Sequence, residues 1–318
     1  MTKARLCLVA AVGVLAACGG LAACGSDDGS TFDPNGDGGG NNGDASVNGD
    51  SPFGNLDGFG GGDGTTNGDG AACNAPVDMF IMQDRSGSMG ADCNIGDTTA
   101  SKWCRAINAL SGYFNSPSAA GNAAALQFFP LSNHTSALCT TGAGYDIAAS
   151  PTPPPAYTTL PTNSFDGLLN STNDNGGNTP TEAAIRGLTK FTAGNRRPGK
   201  VTIGILITDG DPNGCSTNLT TLSNLLQTHF TATTLRTYVI GMTGANFGNL
   251  EQIAQGGNAP LHPDVVGGLT DACGNGAGPC RHWNVGDGDP KAFIAALAAI
   301  QESADGCKDG GGTINPPN

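Results

Sequence analysis

The stretch Val77-Asp78-Met79-Phe80-Ile81-Met82-Gln83-Asp84-Arg85-Ser86-Gly87-Ser88-Met89 decides how the rest of the chain is read. Its first seven residues are mostly apolar and have the length of a buried strand. The strand runs into Asp84, and hydroxyls follow at alternate positions, Ser86 and Ser88. Asp-x-Ser-x-Ser at the carboxyl end of a buried strand gathers three oxygen ligands on one tight loop. Hard divalent cations such as Mg2+ favour that donor type. Two later segments carry matching ligands. Gly176-Gly177-Asn178-Thr179-Pro180-Thr181-Glu182 sets Thr179 just ahead of a helix, and Ile205-Leu206-Ile207-Thr208-Asp209-Gly210 ends a second apolar strand in Asp209.

Outward from these motifs, strand-like and helix-like segments alternate. Apolar runs at Val77–Gln83, Ala123–Phe129, Val201–Thr208 and Thr237–Met242 read as buried strands, with Tyr145–Ala148 and His282–Val285 as weaker candidates. Trp103, Ile107, Leu110 and Phe114 recur at helical spacing, and Ala183–Phe191, Leu219–Phe230, Phe247–Ala254 and Pro290–Ile300 also read as helices. Pro180 suits a helix start, where a missing N–H is harmless. Such alternation predicts an α/β fold, a doubly wound, mostly parallel sheet of about six strands with helices on both faces. Ligands in such sheets bind beyond the carboxyl ends of the strands, near a topological switch point. Asp84 and Asp209 both stand at such ends.

In these motifs, over about residues 76 to 304, the chain resembles the von Willebrand factor type A domain with a metal-ion-dependent adhesion site. Asp84, Ser86, Ser88, Thr179 and Asp209 fill all five motif positions. The resemblance implies a Rossmann-like fold and a Mg2+ ion, or Mn2+ or Ca2+ in its place. Ser86 and Ser88 would bind it directly, Thr179 directly or through water, and Asp84 and Asp209 through water or directly. Neutral hydroxyl ligands leave the ion electrophilic, so a free corner is best filled by a carboxylate from a protein or cell-surface partner. The expected role is adhesion without catalysis. The alternative is a structural envelope assembly protein in which the metal only stabilises the fold. The segment Ala259–Arg281 departs from a minimal domain as a cysteine-bearing insertion. Asp211 reads as a turn residue beside the site, or as a further negative charge near the ion.

The amino-terminal region points to export. Thr2-Lys3-Ala4-Arg5 is basic, and Leu6 to Ala17 is an apolar core of signal-peptide length, short of a membrane span of roughly 20 residues. Leu-Ala-Ala-Cys then occurs twice, ending at Cys18 and Cys24, and each copy resembles the bacterial lipobox whose cysteine is lipidated. Lipidation at Cys24 leaves an even set of eight later cysteines, whereas Cys18, the alternative, strands Cys24 as an odd thiol. Glycine follows the cysteine in both copies, which permits delivery to the outer membrane. A periplasmic or outward-facing domain in the cell envelope stays open.

An even cysteine set in an exported chain predicts disulfides. Cys73–Cys307 brackets the domain, Cys93–Cys104 and Cys273–Cys280 are local, and Cys139–Cys215 follows by elimination, other connectivities remaining open. The organisation is therefore a leader over 1–24, a linker over 25–72, the α/β domain over 73–307 and a tail over 308–318. The linker holds nine aspartates and no lysine, arginine or glutamate. It has too little apolar surface to offset the entropy of ordering. Within it Asp33-Pro34-Asn35-Gly36-Asp37-Gly38, with Asp44, nearly matches an EF-hand loop, but flanking helices and the final glutamate are missing, so a solvated linker is the reading.

Several function classes are excluded. A net charge of −13 argues against nucleic acid as a partner. Ser86-Gly87-Ser88-Met89-Gly90 is not a nucleophile elbow, since that turn needs glycine where Ser86 stands. His134, His229, His262 and His282 are scattered and give Ser88 no base. Gly194-Asn195-Arg196-Arg197-Pro198-Gly199-Lys200 lacks the hydroxyl of a phosphate-binding loop and precedes a strand instead of following one, so it reads as a basic turn. Cys273 and Cys280 lack the second close pair of a zinc site. Trp283 reads as a core residue of an edge strand, with anchoring of a partner as the alternative.

Overall fold

The computed structural model describes residues 75–98, 100–148, 157–173, 176–262 and 279–304. The calls on the leader, Cys18, Cys24, the linker with its Asp33–Asp44 loop, the tail, and Cys73, Cys273 and Cys307 lie outside these residues.

Strand β1 (Val77–Asp84) is followed by a 3-10 turn (Gly87–Met89), helix α1 (Lys102–Phe114), β2 (Ala123–Phe129), the short α2 (Leu138–Thr141), β3 (Thr158–Thr159) and α3 (Asp166–Ser171). Then come α4 (Thr181–Gly194), β4 (Val201–Thr208), α5 (Leu219–Thr233), β5 (Thr237–Gly241), α6 (Phe247–Gly256), β6 (His282–Asn284) and α7 (Pro290–Ala304). The sheet order is β3-β2-β1-β4-β5-β6. All neighbours are parallel except the β2–β3 pair at one edge. The winding reverses between β1 and β4, so the crevice of a doubly wound sheet opens between their carboxyl ends.

Strand alternation explains the two layers. Met79 and Ile81 of β1, with Ile203, Ile205 and Ile207 of β4, face one core, built with Trp103, Ile107 and Leu110 of α1 and Phe293 and Leu297 of α7. Phe80 and Met82, with Leu206, face the other core, under Ala184, Ile185 and Leu188 of α4 and Leu222 and Leu226 of α5. Because both faces are covered, β1 is buried at every position, as its nearly unbroken apolar run requires. Helix starts follow ordinary capping chemistry. Ser101, Asn218 and Asn246 each accept from a backbone N–H in the first turn of α1, α5 and α6.

One strand expectation is corrected. Tyr145–Ala148 is a turn, not a strand. Tyr145 and Ala148 are buried by packing beside α4, where a Cβ on Gly187 would overlap Tyr145, so their apolar character reflects helix contact and not sheet pairing. The outer strand is instead the two-residue, polar β3, paired antiparallel to β2. Pro180 takes the N-cap position, one residue before α4 begins. Trp283 is 4% exposed and stacks on His262 at 3.7 Å, a core position. Cys93–Cys104 and Cys139–Cys215 are disulfides. Cys280 is also disulfide-bonded.

At the amino end of β1 the fully buried Asp78 takes two bonds from one guanidinium. Arg197 Nε lies 2.7 Å from Asp78 Oδ2, and Arg197 Nη2 lies 2.5 Å from Asp78 Oδ1. The Arg197 guanidinium also lies over the Tyr157 ring at 5.2 Å. The basic turn before β4 is thus a clamp on a buried carboxylate. Arg197→Ala leaves that charge unpaired and is expected to cost about 2–3 kcal/mol, the usual penalty discounted for the guanidinium's partial exposure. Urea unfolding of the domain measures it; a loss under about 0.5 kcal/mol, the scatter of ordinary surface changes, would show the pair to be dispensable.

Candidate metal centre

The carboxyl ends of β1 and β4 are adjacent in register, with Gln83 opposite Ile207, so Asp84 comes to lie beside Thr208. Asp84 is fully buried. The backbone N–H of Ser86 donates to its Oδ1 at 2.7 Å, and the Thr208 hydroxyl donates to its Oδ2 at 2.6 Å. Burial pushes the Asp84 carboxyl up to about 7, against the hydrogen bonds from Thr208 and Ser86, and the nearby Asp209 adds to the rise.

The loop after β1 then brings its hydroxyls to Asp209. Ser86 Oγ and Ser88 Oγ are 3.1 Å apart, and Ser88 Oγ donates to Asp209 Oδ1 at 2.7 Å. Thr179 arrives from the start of α4, held in both directions by the β4–α5 loop. Its N–H donates to Asn213 Oδ1 and its carbonyl accepts from Asn213 N–H, both at 2.9 Å. The β1 loop also touches the Gly176–Gly177 loop, with Gly87 N–H donating to Gly177 O at 3.2 Å. A Cβ on Gly87 would lie 3.3 Å from the Gly176 backbone, which is why glycine suits that position.

The space these oxygens enclose can be located. A Cβ on Gly210 would stand 3.2 Å from Thr179 Oγ1 and 3.5 Å from Ser88 Oγ. One point is thus within reach of ligands from two of the three motifs. Ser88 hydrogen-bonds both Ser86 and Asp209, and the Asp84 carboxyl feels Asp209. All five expected residues therefore converge. Asp84, Ser86, Thr179 and Asp209 are buried, while Ser88 is exposed and marks the open side. A set of hard oxygens around two buried carboxylates fits a hard divalent cation: Ser86, Ser88 and Thr179 could hold it, with Asp84 and Asp209 supplying charge.

Two other groups of metal-type side chains do not compete. His134 lies with Cys139 and Cys215, and Glu251 with Cys280 and His282. The sulfurs are in disulfides in both groups, so neither offers a thiolate. In the second group, burial alone would raise the Glu251 carboxyl. Hydrogen bonds from the His282 ring and from the Arg281 and His282 backbone outweigh it and hold the group at about 2. Asp211, for its part, accepts from Asn249 of α6 at 2.9 Å, so it ties a loop to a helix.

Sequence reading missed one charged group at the site. Lys102, the first residue of α1, places its ammonium on Asp209 Oδ2 and donates to the Thr243 carbonyl at 2.9 Å. Nothing local announces it, because a lysine in a first helical turn ordinarily reads as solvated surface.

Neither a protein-family model nor a curated protein matches the chain. Among solved structures it is similar to proximal thread matrix protein 1 from the mussel byssus. One structure shares 18% identity over 57% of this chain and 42% of that one, at a TM-score of 0.35. Another, described as having a zinc-occupied MIDAS motif, shares 13% over 73% and 49%, at 0.40. A third shares 14% over 73% and 47%, also at 0.40. The chain therefore spans less than half the length of these structures. Likeness at this level lends nothing to the metal centre, which stands on its own geometry.

Gly210→Val is expected to place a side chain among the oxygens of Thr179 and Ser88 and to weaken Mg2+ binding by at least about tenfold. Calorimetric titration checks this, alongside melting in chelator to show that the fold persists. Wild-type affinity in the folded variant would mean that the cation sits elsewhere.

Proposed function

We propose that this protein is an exported, lipid-anchored domain of the von Willebrand factor A type that binds a protein or cell-surface ligand through a divalent cation. The observation that carries the reading is the convergence of Ser88, an exposed residue, on the buried Ser86 and Asp209 at the switch point of the sheet. Hydroxyl ligands carry no charge, so a cation held by them stays electron-poor. Its open coordination position then favours a carboxylate supplied by a partner. Mg2+ suits an oxygen set that leaves room for water, and Mn2+ and Ca2+ use similar donors.

The role is binding and not turnover. Ser88 donates to Asp209, a bond that holds its oxygen within the set that would face a cation. The lipid anchor rests on the leader and the two Leu-Ala-Ala-Cys copies, and with it the reading is of a domain in the cell envelope, at the outer membrane.

Calorimetric titration with Mg2+, Mn2+ and Ca2+ tests the centre. Binding is expected in the wild type and lost in Asp84→Ala and Asp209→Ala; heat that survives unchanged in both variants would rule out this site. Pull-down from cell envelopes in Mg2+ is expected to capture a partner that chelator releases. For the anchor, labelled fatty acid fed to expressing cells is expected to mark the protein, with Cys24→Ala abolishing the label and Cys18→Ala sparing it. The reverse pattern would move the anchor to Cys18.

A further inference from the structure

Asp209 divides its two oxygens between different tasks. Oδ1 takes the Ser88 hydroxyl at 2.7 Å and so belongs to the oxygen cluster. Oδ2 takes the Lys102 ammonium, on the side of the carboxylate away from Ser88. That ammonium is itself seated. It donates to the Thr243 carbonyl at 2.9 Å and lies 3.1 Å from where a Cβ on Gly244 would stand. Gly244 has φ +109°, so the loop after β5 is shaped in a way that leaves room for the lysine head. The Asp209 side chain is fully buried and that of Lys102 is 22% exposed, so the pair is only lightly screened by solvent.

We infer that Lys102 sets the net charge of the loaded metal centre, weakening cation binding in exchange for a stronger hold on an anionic ligand. This rests on the metal-dependent reading above. With both aspartates ionised, the centre carries one net negative charge when Lys102 is counted and two when it is not. A divalent cation turns these into one net positive charge and zero respectively. The lysine therefore repels the incoming cation, and the same charge attracts a carboxylate to the cation's open corner. The ammonium holds Oδ2 while the Ser88 hydroxyl holds Oδ1, so the lysine acts on a different oxygen from the hydroxyl cluster. Lys102 is thus a specificity-determining residue for a negatively charged partner, set on an element that contributes no expected metal ligand.

The test uses Mn2+ and acetate as probes on the folded protein. Mn2+ titration is followed by calorimetry. Acetate binding to the Mn2+-loaded protein is followed by paramagnetic broadening of its methyl resonance. Lys102→Met is expected to bind Mn2+ about tenfold more tightly and acetate at least about threefold more weakly. Lys102→Gln, which keeps a donor for the Thr243 carbonyl, is expected to behave the same way and covers the case of a misfolded Met variant. Lys102→Arg, which keeps the charge, is expected to stay within about twofold of the wild type in both. Equal Mn2+ affinity in the wild type and the neutral variants overturns the inference while the metal centre stands. Weaker Mn2+ binding in those variants also overturns it, since Lys102 would then only position Asp209. Absence of Mn2+ binding in every form removes the metal centre and the inference together.

Discussion

Two buried carboxylates from neighbouring strand ends are the constraint around which this molecule is arranged. Asp84 and Asp209 are each at most 1% exposed, and the nearness of Asp209 adds to the cost of ionising Asp84. Burying one unpaired charge is expensive, and burying two of like sign is more so. The surroundings reduce that cost in different ways. Asp84 receives a backbone N–H and a threonine hydroxyl, whereas Asp209 receives a serine hydroxyl and an ammonium. Only Asp209 is matched by a full opposite charge. What remains around Asp84 is a negative site lined by hydroxyl oxygens, which a small divalent cation would satisfy.

Holding three loops in register on such a site requires bracing, and the disulfides supply part of it. Cys93–Cys104 ties the segment after the serine loop to the first turns of α1, two residues beyond Lys102. Cys139–Cys215 ties α2 to the loop that carries Asn213, the residue bonded in both directions to Thr179. Each bridge therefore limits the freedom of a loop that carries or supports a ligand. In an oxidising compartment these bonds persist. The glycines at 87 and 210 do the complementary work, by letting backbone and hydroxyl groups approach where a side chain would intrude.

The doubly wound sheet and the five converging residues were legible in the sequence because each rests on a local signal. A two-sided buried strand leaves an apolar run, and its end is marked where the run meets aspartate, as at Asp84 and Asp209. The misses share a physical cause, which is dependence on partners far away in the chain. Lys102 meets Asp209 across 107 positions and Arg197 meets Asp78 across 119, and neither lysine nor arginine announces such a partner. β3 is two polar residues long and is defined only by the edge it pairs with, while Tyr145 is buried because α4 packs against it. Strand assignment from apolar character fails where a helix, and not a neighbouring strand, does the burying.

The two ends of β1 separate what serves folding from what serves binding. Asp78 and Asp84 sit on the same strand and are both fully buried. At the amino end the chain supplies its own cation, since Arg197 grips Asp78 with two bonds and the charge is settled on folding. At the carboxyl end the hydrogen bonds that Asp84 accepts come from neutral groups, and its carboxyl is pushed up to about 7 by burial. A fold selected for stability alone would treat both ends alike. The asymmetry places the unmet charge at the switch point of the sheet, where a crevice exists, and near the exposed Ser88. The cost left unpaid in folding is what a cation bound there would offset.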